Sequence, residues 1–395
     1  MSRVKQMARP VIRSLVVIGA AMVMAMANTA FAEILIPAPP QIAAKSWILI
    51  DAQTGNVLVE NNADEALPPA SLTKIMTSYV VAGEVHSGKI SLTDTVPVSV
   101  TAWQMGGSKM FVREGTEVPV EDLLRGVIIQ SGNDATVALA EHVSGSESAF
   151  ADVMNQQAKL LGMNNSHFVN ATGWPAEGHL TTARDLSLLT WALIRDYPDH
   201  YKVYSEKYFE YNGIKQPNRN RLLWRDNSVD GVKTGHTDEA GYCLVASAER
   251  DGMRLIAVVM GTDGEETRAR ESQKLLAYGF RYYETSRLYS AGDVIQPANR
   301  IWFGQQDSVD LIVDHDIYLT HPRGAREKLN AEVLIEEILR APLTPADEAG
   351  RLTVSHEQEQ LLTTPLRVAQ TVEEAGFFAR LWDHLVLFIQ GLFGG

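Results

Sequence analysis

The sequence predicts a mixed α/β fold of the α+β type, with an antiparallel sheet packed between helices. A small all-β sandwich-like domain and a C-terminal amphipathic helix are expected to follow it. Strand patterns lie near both ends of residues 33–284, and a block of helical patterns lies between them. Over residues 285–370, prolines separate short runs of alternating hydrophobic and polar residues. Helical spacing of apolar residues returns in residues 371–395.

Residues 1–32 are predicted to be a secretory signal sequence rather than part of the fold. Four basic residues precede the apolar run Leu15–Ala27, and Ala30-Phe31-Ala32 supplies the small residues of a cleavage site. An uncleaved membrane anchor is the alternative, which the short apolar run disfavours. Loss of the four basic residues changes the formal net charge from −13 to −17. So acidic a product is not expected to bind nucleic acid.

Cysteine usage and metal motifs restrict the chemistry further. Cys243 is the only cysteine, so no intramolecular disulfide is possible, and its place in the apolar run Tyr242–Ala248 predicts a core residue. The sequence contains no H-E-x-x-H or paired C-x-x-C motif. We therefore expect neither a metal nor a cofactor.

Turn and capping signals separate the elements of residues 33–284. Trp47–Ile50 and Val57–Glu60 are predicted strands, and Glu249-Arg250-Asp251-Gly252 is typical of a hairpin. The other predicted strands are Asp230–His236, Leu244–Ala248 and Leu255–Met260, and the predicted helices are Leu72–Ser87, Val120–Ile129, Asp134–His142, Ser148–Leu161, Thr182–Arg195 and Glu266–Tyr283.

A serine and a lysine lie one turn apart at the start of the first predicted helix. Pro68 and Pro69 mark that start, because proline is tolerated only before or within the first turn. Ser71 and Lys74 therefore share a face, where free backbone N–H groups and the helix dipole would stabilise an oxyanion. Ser71 is the candidate nucleophile, and Lys74 is its candidate base if its pKa falls from about 10.4 toward neutrality. Taken alone, the pair fits an N-cap serine and a surface lysine better.

Ser131-Gly132-Asn133 is a second motif, and it follows a predicted helix at a tight turn. Ser131 is a candidate relay of a proton to the leaving amine. The amide of Asn133 is a candidate to hold the backbone of a substrate.

Lys233-Thr234-Gly235 is a third motif, and it lies on a predicted strand. Lys233 is a candidate second cation that lowers the pKa of Lys74. The missing side chain at Gly235 allows the turn with the serine to approach closely, and the Thr234 hydroxyl is available to a terminal carboxylate. An extended peptide could pair with this strand as an added strand.

The set S-x-x-K, S-x-N and K-T-G, here with S-G-N where S-D-N is usual, is typical of penicillin-binding proteins and class A β-lactamases. With P-A-S-L-T-K, Q-S-G-N-D-A, T-T-A-R-D, V-D-G-V-K-T-G-H-T and A-G-Y-C-L-V-A-S, the chain resembles the D-alanyl-D-alanine carboxypeptidases of low molecular mass, of the penicillin-binding protein 5 type. The resemblance implies a DD-peptidase/β-lactamase-like catalytic domain that removes the terminal D-alanine from peptidoglycan stem peptides ending in D-Ala-D-Ala. It also implies a Ser71 acyl-enzyme and covalent inhibition by β-lactam antibiotics.

The same resemblance assigns further residues. It implies that the backbone N–H groups of Ser71 and His236 form the oxyanion hole and that Arg268 helps to hold the substrate carboxylate. Arg270 is the alternative to Arg268, because the loop Gly261–Glu266 differs from the basic loop of the family and leaves the register open. The catalytic set is thus Ser71, Lys74 and Ser131, and the substrate-binding set is Asn133, Lys233, Thr234, Gly235, His236 and Arg268.

The last predicted helix, Glu373–Phe393, is amphipathic. Phenylalanines and leucines fall on one half of it, and Arg380, Asp383, His384 and Gln390 fall on the other. Polar residues in so short a run disfavour a spanning helix. We expect a helix lying in the membrane interface, which would hold the exported protein at the periplasmic face of the inner membrane. A helix docked on the protein's own β-domain is the alternative.

Two other functions compete with the carboxypeptidase hypothesis. A class A-like β-lactamase needs a glutamate-bearing loop to activate the deacylating water, and no convincing candidate lies between Asn133 and Lys233. A non-catalytic cell-wall scaffolding protein is disfavoured by the intact pair of Ser71 and Lys74.

Overall fold

The computed structural model describes residues 36–335, 338–356 and 359–393, so the predicted signal sequence lies outside the described residues. The strands are β1 (Ser46–Asp51), β2 (Val57–Asn61), β3 (Thr95–Pro97), β4 (Glu117–Pro119), β5 (Tyr208–Tyr211), β6 (Ile214–Pro217), β7 (Val229–Thr237), β8 (Gly241–Arg250), β9 (Met253–Thr262), β10 (Tyr283–Tyr289), β11 (Val294–Trp302), β12 (Ser308–Ile312), β13 (Ile317–Pro322), β14 (Leu329–Ile335), β15 (Leu339–Arg340), β16 (Glu348–His356) and β17 (Glu359–Val368). The α-helices are α1 (Thr73–His86), α2 (Val100–Gln104), α3 (Val120–Arg125), α4 (Asn133–Ser144), α5 (Glu147–Leu160), α6 (Ala183–Asp196), α7 (Pro198–Tyr201), α8 (Leu222–Arg225), α9 (Glu265–Tyr282) and α10 (Phe377–Phe393).

A five-stranded sheet, in the order β2-β1-β9-β8-β7, runs through the first part of the chain. All its neighbouring strands are antiparallel. Asp251 and Gly252 join β8 to β9, and their φ angles of +50° and +80° are the left-handed values that a tight hairpin turn requires. The strand with the K-T-G motif, β7, is an edge strand of this sheet.

Helices cover both faces of the sheet, because its strands are apolar on both faces. Leu49 and Leu255 face α9, where a Cβ added to Gly279 would lie 2.5 Å from Leu255 and 2.9 Å from Leu49. On the other face, Ile48 and Ile50 join the large core formed with α1, α4 and α6. The predicted sheet packed between helices is therefore confirmed.

The first helix is the centre of the helical block. Residues 73–82 of α1 are all buried, which is the expected environment of a helix that is apolar on most of its surface. The predicted helices are found within a few residues of their predicted ends. The largest change affects Val120–Ile129, which forms α3 and then a π-helical turn, Gly126–Gln130, that ends at Ser131.

The second part of the chain is all β, as predicted. Its two-stranded sheet, β10-β13, and its six-stranded sheet, β14-β16-β17-β12-β11-β15, share a core that includes Leu311, Leu319, Leu352 and Leu366. Asp51, at the end of β1, connects the two parts. Its buried carboxylate accepts hydrogen bonds from the hydroxyls of Thr285 and Thr320, the latter at 2.8 Å.

The C-terminal helix begins at Phe377 rather than Glu373, because the residues before it pair with the β-domain. Val372 bridges Leu343, and the Ala375 amide donates to the Phe303 carbonyl at 2.7 Å. The polar side of α10 docks on the same domain, where Asp383 accepts from the Phe303 amide at 2.7 Å. The outward apolar side chains are 45–83% exposed: Phe377, Phe378, Leu381, Trp382, Leu385, Phe388 and Ile389. Of the helices in the described ranges, none is long and apolar enough to traverse a bilayer.

Candidate active site

Ser71 lies in a short 3-10 turn, Ala70–Leu72, directly before α1. Two glycines let other backbone segments approach this turn. A Cβ added to Gly235 of β7 would lie 3.0 Å from the Pro69 carbonyl oxygen. A Cβ added to Gly173 would overlap the Ala70 carbonyl oxygen. The close approach of β7 predicted from the missing side chain of Gly235 is therefore found, and it brings the K-T-G strand against the serine.

Lys74 is 1% exposed, and its ammonium lies among three oxygen atoms. Its Nζ donates to Ser71 Oγ at 3.1 Å, to Asn133 Oδ1 at 2.7 Å and to the Thr172 carbonyl at 2.6 Å. Burial is the main cause that lowers the pKa of Lys74 to about 7. A neutral Lys74 keeps two protons for the amide and carbonyl oxygens, and it turns a lone pair toward Ser71. The geometry and the pKa both suit a base.

Neighbouring charges adjust the pKa of Lys74. Arg219 lowers it, whereas the carboxylates of Glu147 and Asp134 raise it. Arg219 is thus a cation beside Lys74 that the sequence did not predict. Lys233 is also coupled to Lys74, as predicted for the second cation, because burial and then Lys74 hold the pKa of Lys233 well below its ordinary value.

Ser131 and Lys233 form a second pair beside the first. Ser131 ends the π-helical turn with a left-handed φ of +60°, and its Oγ accepts from Lys233 Nζ at 3.0 Å. Lys233 Nζ also donates to the Thr234 carbonyl at 3.0 Å. The π-helical turn and the strand β7 thus bring the second and third motifs into direct contact.

The side-chain amide of Asn133 contacts the base directly. Its Oδ1 accepts from Lys74 and its Nδ2 donates to the Gly106 carbonyl at 2.8 Å. Asn133 therefore orients Lys74. Its Nδ2 has a second N–H, and the predicted contact of this amide with a substrate backbone stays a prediction.

A cavity of about 380 Å³ opens beside Ser71. Of the residues predicted for the site, it is lined by Ser71, Ser131, Thr234, Gly235, His236 and Arg268. It is also lined by residues that sequence analysis missed, namely Ser108, Arg219, Tyr242 and Glu265. No motif identifies Arg219, since the residues around it read only as a polar loop.

Arg268 and Arg270 are clearly separated by the fold. Arg268 is 6% exposed, and it donates to the Gly235 carbonyl at 3.1 Å from the wall of the cavity. The side chain of Arg270 is 51% exposed and pairs with Glu271 at 3.0 Å. Of the two arginines, Arg268 is therefore the one whose guanidinium can reach a carboxylate in the cavity.

Comparisons with known proteins agree with this geometry. The family model of D-alanyl-D-alanine carboxypeptidases, peptidase S11, matches residues 34–264, and that of the C-terminal domain of penicillin-binding protein 5 matches residues 283–374. The chain is 46% identical to D-alanyl-D-alanine carboxypeptidase DacC of Escherichia coli K12 over 384 residues, which is 95% of this chain and 96% of that protein.

Two solved structures are similar to the protein. Penicillin-binding protein 5 from Haemophilus influenzae matches with a TM-score of 0.82 and 42% identity, over 86% of this chain and 100% of that one. Penicillin-binding protein D2 from Listeria monocytogenes, in its ampicillin-bound form, matches with a TM-score of 0.57 and 32% identity, over 61% of this chain and 100% of that one.

The chain belongs to the D-alanyl-D-alanine carboxypeptidase family of serine peptidases. The predicted family, fold class and enzyme class are thereby confirmed. The relatives favour the carboxypeptidase over the β-lactamase and the non-catalytic scaffolding protein.

Proposed function

We propose that the protein removes the terminal D-alanine from peptidoglycan stem peptides through an acyl-enzyme on Ser71. The observation that carries this proposal is the contact between Ser71 Oγ and Lys74 Nζ at 3.1 Å, in a site where the pKa of the lysine is lowered to about 7. A neutral amine beside a serine hydroxyl is an activated nucleophile of the serine–lysine kind.

In the first step, Ser71 Oγ attacks the carbonyl carbon between the two D-alanines, and its proton passes to Lys74 Nζ. The oxyanion that forms is held by backbone N–H groups of Ser71 and His236, as the family resemblance implies. Collapse of this intermediate breaks the carbon–nitrogen bond. Ser131, which is hydrogen-bonded to Lys233, relays to the leaving amine the proton that Lys74 took from Ser71, so that Lys74 is neutral again and Ser131 keeps its hydroxyl. Attack by water on the acyl-enzyme then releases the shortened peptide and restores the Ser71 hydroxyl.

The substrate carboxylate is proposed to lie in the cavity beside Thr234 and Arg268. Two guanidinium groups, of Arg219 and Arg268, and one carboxylate, of Glu265 at 3.5 Å from Arg268, line the cavity on this side, so its net charge is positive. Paired hydrogen bonds from a guanidinium favour a carboxylate over a neutral end group. The peptide backbone would run along the edge strand β7 as an added strand. This arrangement explains why the enzyme would act at a free C-terminus.

The same serine is proposed to react with β-lactam antibiotics. A β-lactam presents a strained amide next to a carboxylate, so it fits the same nucleophile and the same cationic wall. The ampicillin-bound form of the Listeria relative supports this step, since its chain resembles the catalytic part of the present one.

We propose that α10 attaches the exported protein to the periplasmic face of the inner membrane. Its polar side docks through Asp383 and through His384, whose ring lies 4.5 Å from that of Phe303. Polar residues of α10 dock on the β-domain, so the docked-helix alternative accounts for the polar side of the helix and not for its apolar side. The apolar side chains point outward, and the exposed side chain of Phe378, at 83%, has a large surface to bury. An outward row of phenylalanine, leucine and tryptophan suits the lipid interface.

Release of D-alanine from a synthetic pentapeptide ending in D-Ala-D-Ala tests the proposal. We expect release by the purified protein, none by Ser71→Ala, and little from the same peptide with a C-terminal amide. Equal release by Ser71→Ala would contradict the assignment of the nucleophile. Equal cleavage of the amide would contradict the role of the cationic cavity.

A further inference from the structure

Asp134 follows the S-G-N motif directly, and its carboxylate is fully buried in the first turn of α4. Its two oxygens accept four backbone N–H groups. One donor is its helical neighbour Ala135, and the other three are Met110 at 2.8 Å, Phe111 at 2.8 Å and Val112 at 3.2 Å. A carboxylate that accepts so many N–H bonds is a strong fixed point for the backbone that supplies them.

Those donors belong to the segment 106–112, which reaches the active site. Ser108 lines the cavity beside Ser71. The carbonyl of Ser108 accepts from the backbone N–H of Asn133 at 2.7 Å, and the carbonyl of Gly106 accepts from the side-chain Nδ2 of Asn133. Asn133 in turn holds Lys74 at 2.7 Å. A continuous chain of hydrogen bonds therefore runs from Asp134 through the segment 106–112 and Asn133 to Lys74.

The backbone of the segment 106–112 has an unfavourable conformation at one residue, so other contacts must hold it in place. Phe111 adopts a left-handed φ of +70°, which is unfavourable for a phenylalanine, and its side chain is 48% exposed. Its side chain is too exposed for packing to account for this conformation. The hydrogen bonds from Met110, Phe111 and Val112 to one carboxylate do account for it.

We propose that Asp134 is a positioning residue for the reaction of Ser71: it ties the segment 106–112 to the start of α4 and supplies a fixed negative charge behind Lys74. The inference rests on the proposed function, and it adds a residue that does not touch the substrate. It separates two effects of one carboxylate. The hydrogen bonds set the placement of Asn133 and Ser108, and the charge raises the proton affinity of Lys74.

The charge effect is distinguishable because the groups around Lys74 are few. They are Lys233 on β7, Arg219 before α8, Glu147 on α5, His179 in the loop after Gly173, and Asp134 itself. Glu147 and Asp134 are the anions among them, and both raise the pKa of Lys74. Loss of the Asp134 charge therefore moves the pKa of Lys74 to a lower value, whereas a purely structural role would leave it unchanged.

The test compares Asp134→Asn with the matched variant Asp185→Asn. Asp185 is also a buried carboxylate in the first turn of a helix, and it accepts a hydrogen bond from the backbone N–H of Asn165 at 2.9 Å. It is not among the charges that act on the pKa of Lys74. The second-order rate of acylation by a fluorescent penicillin is measured against pH for both variants and for the wild type. We expect Asp134→Asn to show a lower midpoint of the acid limb and a plateau reduced roughly tenfold. Asp185→Asn should lower the melting temperature and leave the midpoint and plateau unchanged.

A second variant keeps the test decisive if Asp134→Asn does not fold. Asp134→Glu keeps the charge but moves the carboxylate oxygens by one methylene away from their N–H donors, so we expect a lower plateau with an unchanged midpoint. An unchanged profile of Asp134→Asn, or of Asp134→Glu when it is the variant that folds, would overturn the role of Asp134. Absence of label on the wild type would instead contradict the proposed function.

Discussion

The start of α1 buries a charged side chain, whereas the C-terminal helix α10 exposes large apolar ones, and both are unusual in a folded protein. At α1, a lysine is 1% exposed, and at α10 a phenylalanine is 83% exposed. Burying an ammonium is costly, so the pKa of Lys74 falls to about 7, and three oxygen atoms around its Nζ supply the hydrogen bonds of the buried amine. Exposing a row of large apolar groups is costly unless something covers them. The first departure is compensated inside the protein, and the second is not compensated by any described residue.

The side chains of the two helices therefore have their partners in different places. The charged group at α1 has its partners built into the fold, so its chemistry can be derived from distances. The apolar face of α10 has its polar side docked and its other side open, so the proposed partner is external. Substitutions at the two helices should therefore affect different measurements.

The largest expected effect is that of Lys74→Ala. Without the base, acylation by a penicillin should slow by about 10²–10⁴-fold, which is the usual contribution of general base catalysis. The measurement is the second-order labelling rate, with circular dichroism to verify the fold. Lys89→Ala is the control, since the side chain of Lys89 is 67% exposed and pairs with Glu84 at the surface. Near-normal labelling of Lys74→Ala would mean that another group is the base.

Removal of α10 should have no effect on that rate and a large effect on location. Truncation after Gly376 deletes the helix but keeps the buried Val372 in the β-domain. We expect most of the truncated protein in the soluble periplasmic fraction, with full carboxypeptidase activity. Trp382→Glu should weaken membrane association, whereas Gln390→Glu adds the same charge on the polar half and should not. A truncated protein that still sediments with membranes would contradict the anchoring role of α10.

A smaller effect should distinguish Arg268 from Arg270. A hydrogen bond to a charged group contributes about 1.5–3 kcal/mol, so Arg268→Gln should lower kcat/KM for the D-Ala-D-Ala peptide by roughly 10–100-fold. Arg270→Gln changes an exposed ion pair and should have little effect. The comparison uses steady-state release of D-alanine. A reversed order of the two variants would contradict the placement of the substrate carboxylate.

The last effect is graded and concerns pH. Because the pKa of Lys74 is lowered to about 7, the neutral base is present above this pH and is lost below it. The acylation rate should therefore fall about tenfold for each pH unit on the acid side. A rate that stays constant from about pH 5 to about pH 8 would show that Lys74 does not titrate in the expected range.

The sequence was sufficient for the fold and for bringing the three motifs together, because both depend on local patterns. The periodicity around Ser71, the hairpin at Asp251-Gly252 and the alternating strands after Tyr283 each depend on neighbouring residues. The three motifs predicted which residues meet, because their chemistry is useful only together. The apolar half of α10 was equally visible as a pattern.

The remaining features depend on distant contacts. Arg219 has no pattern of its own, and it acts on Lys74 only because a polar loop folds back to the cavity. The contacts of the Asn133 side-chain amide with Lys74 and with the Gly106 carbonyl were not predicted. The docking of Asp383 on the Phe303 amide joins residues that lie far apart in the chain. Such pairings follow from the packing of separate elements, which the pattern of any single element does not contain.

The most direct test of the central claim is the intact mass of the protein after exposure to a penicillin. We expect one added penicillin on the wild-type protein, located by peptide mapping to Ser71, and no added mass on a folded Ser71→Ala variant. Full labelling of Ser71→Ala, or label mapped to another residue, would contradict it.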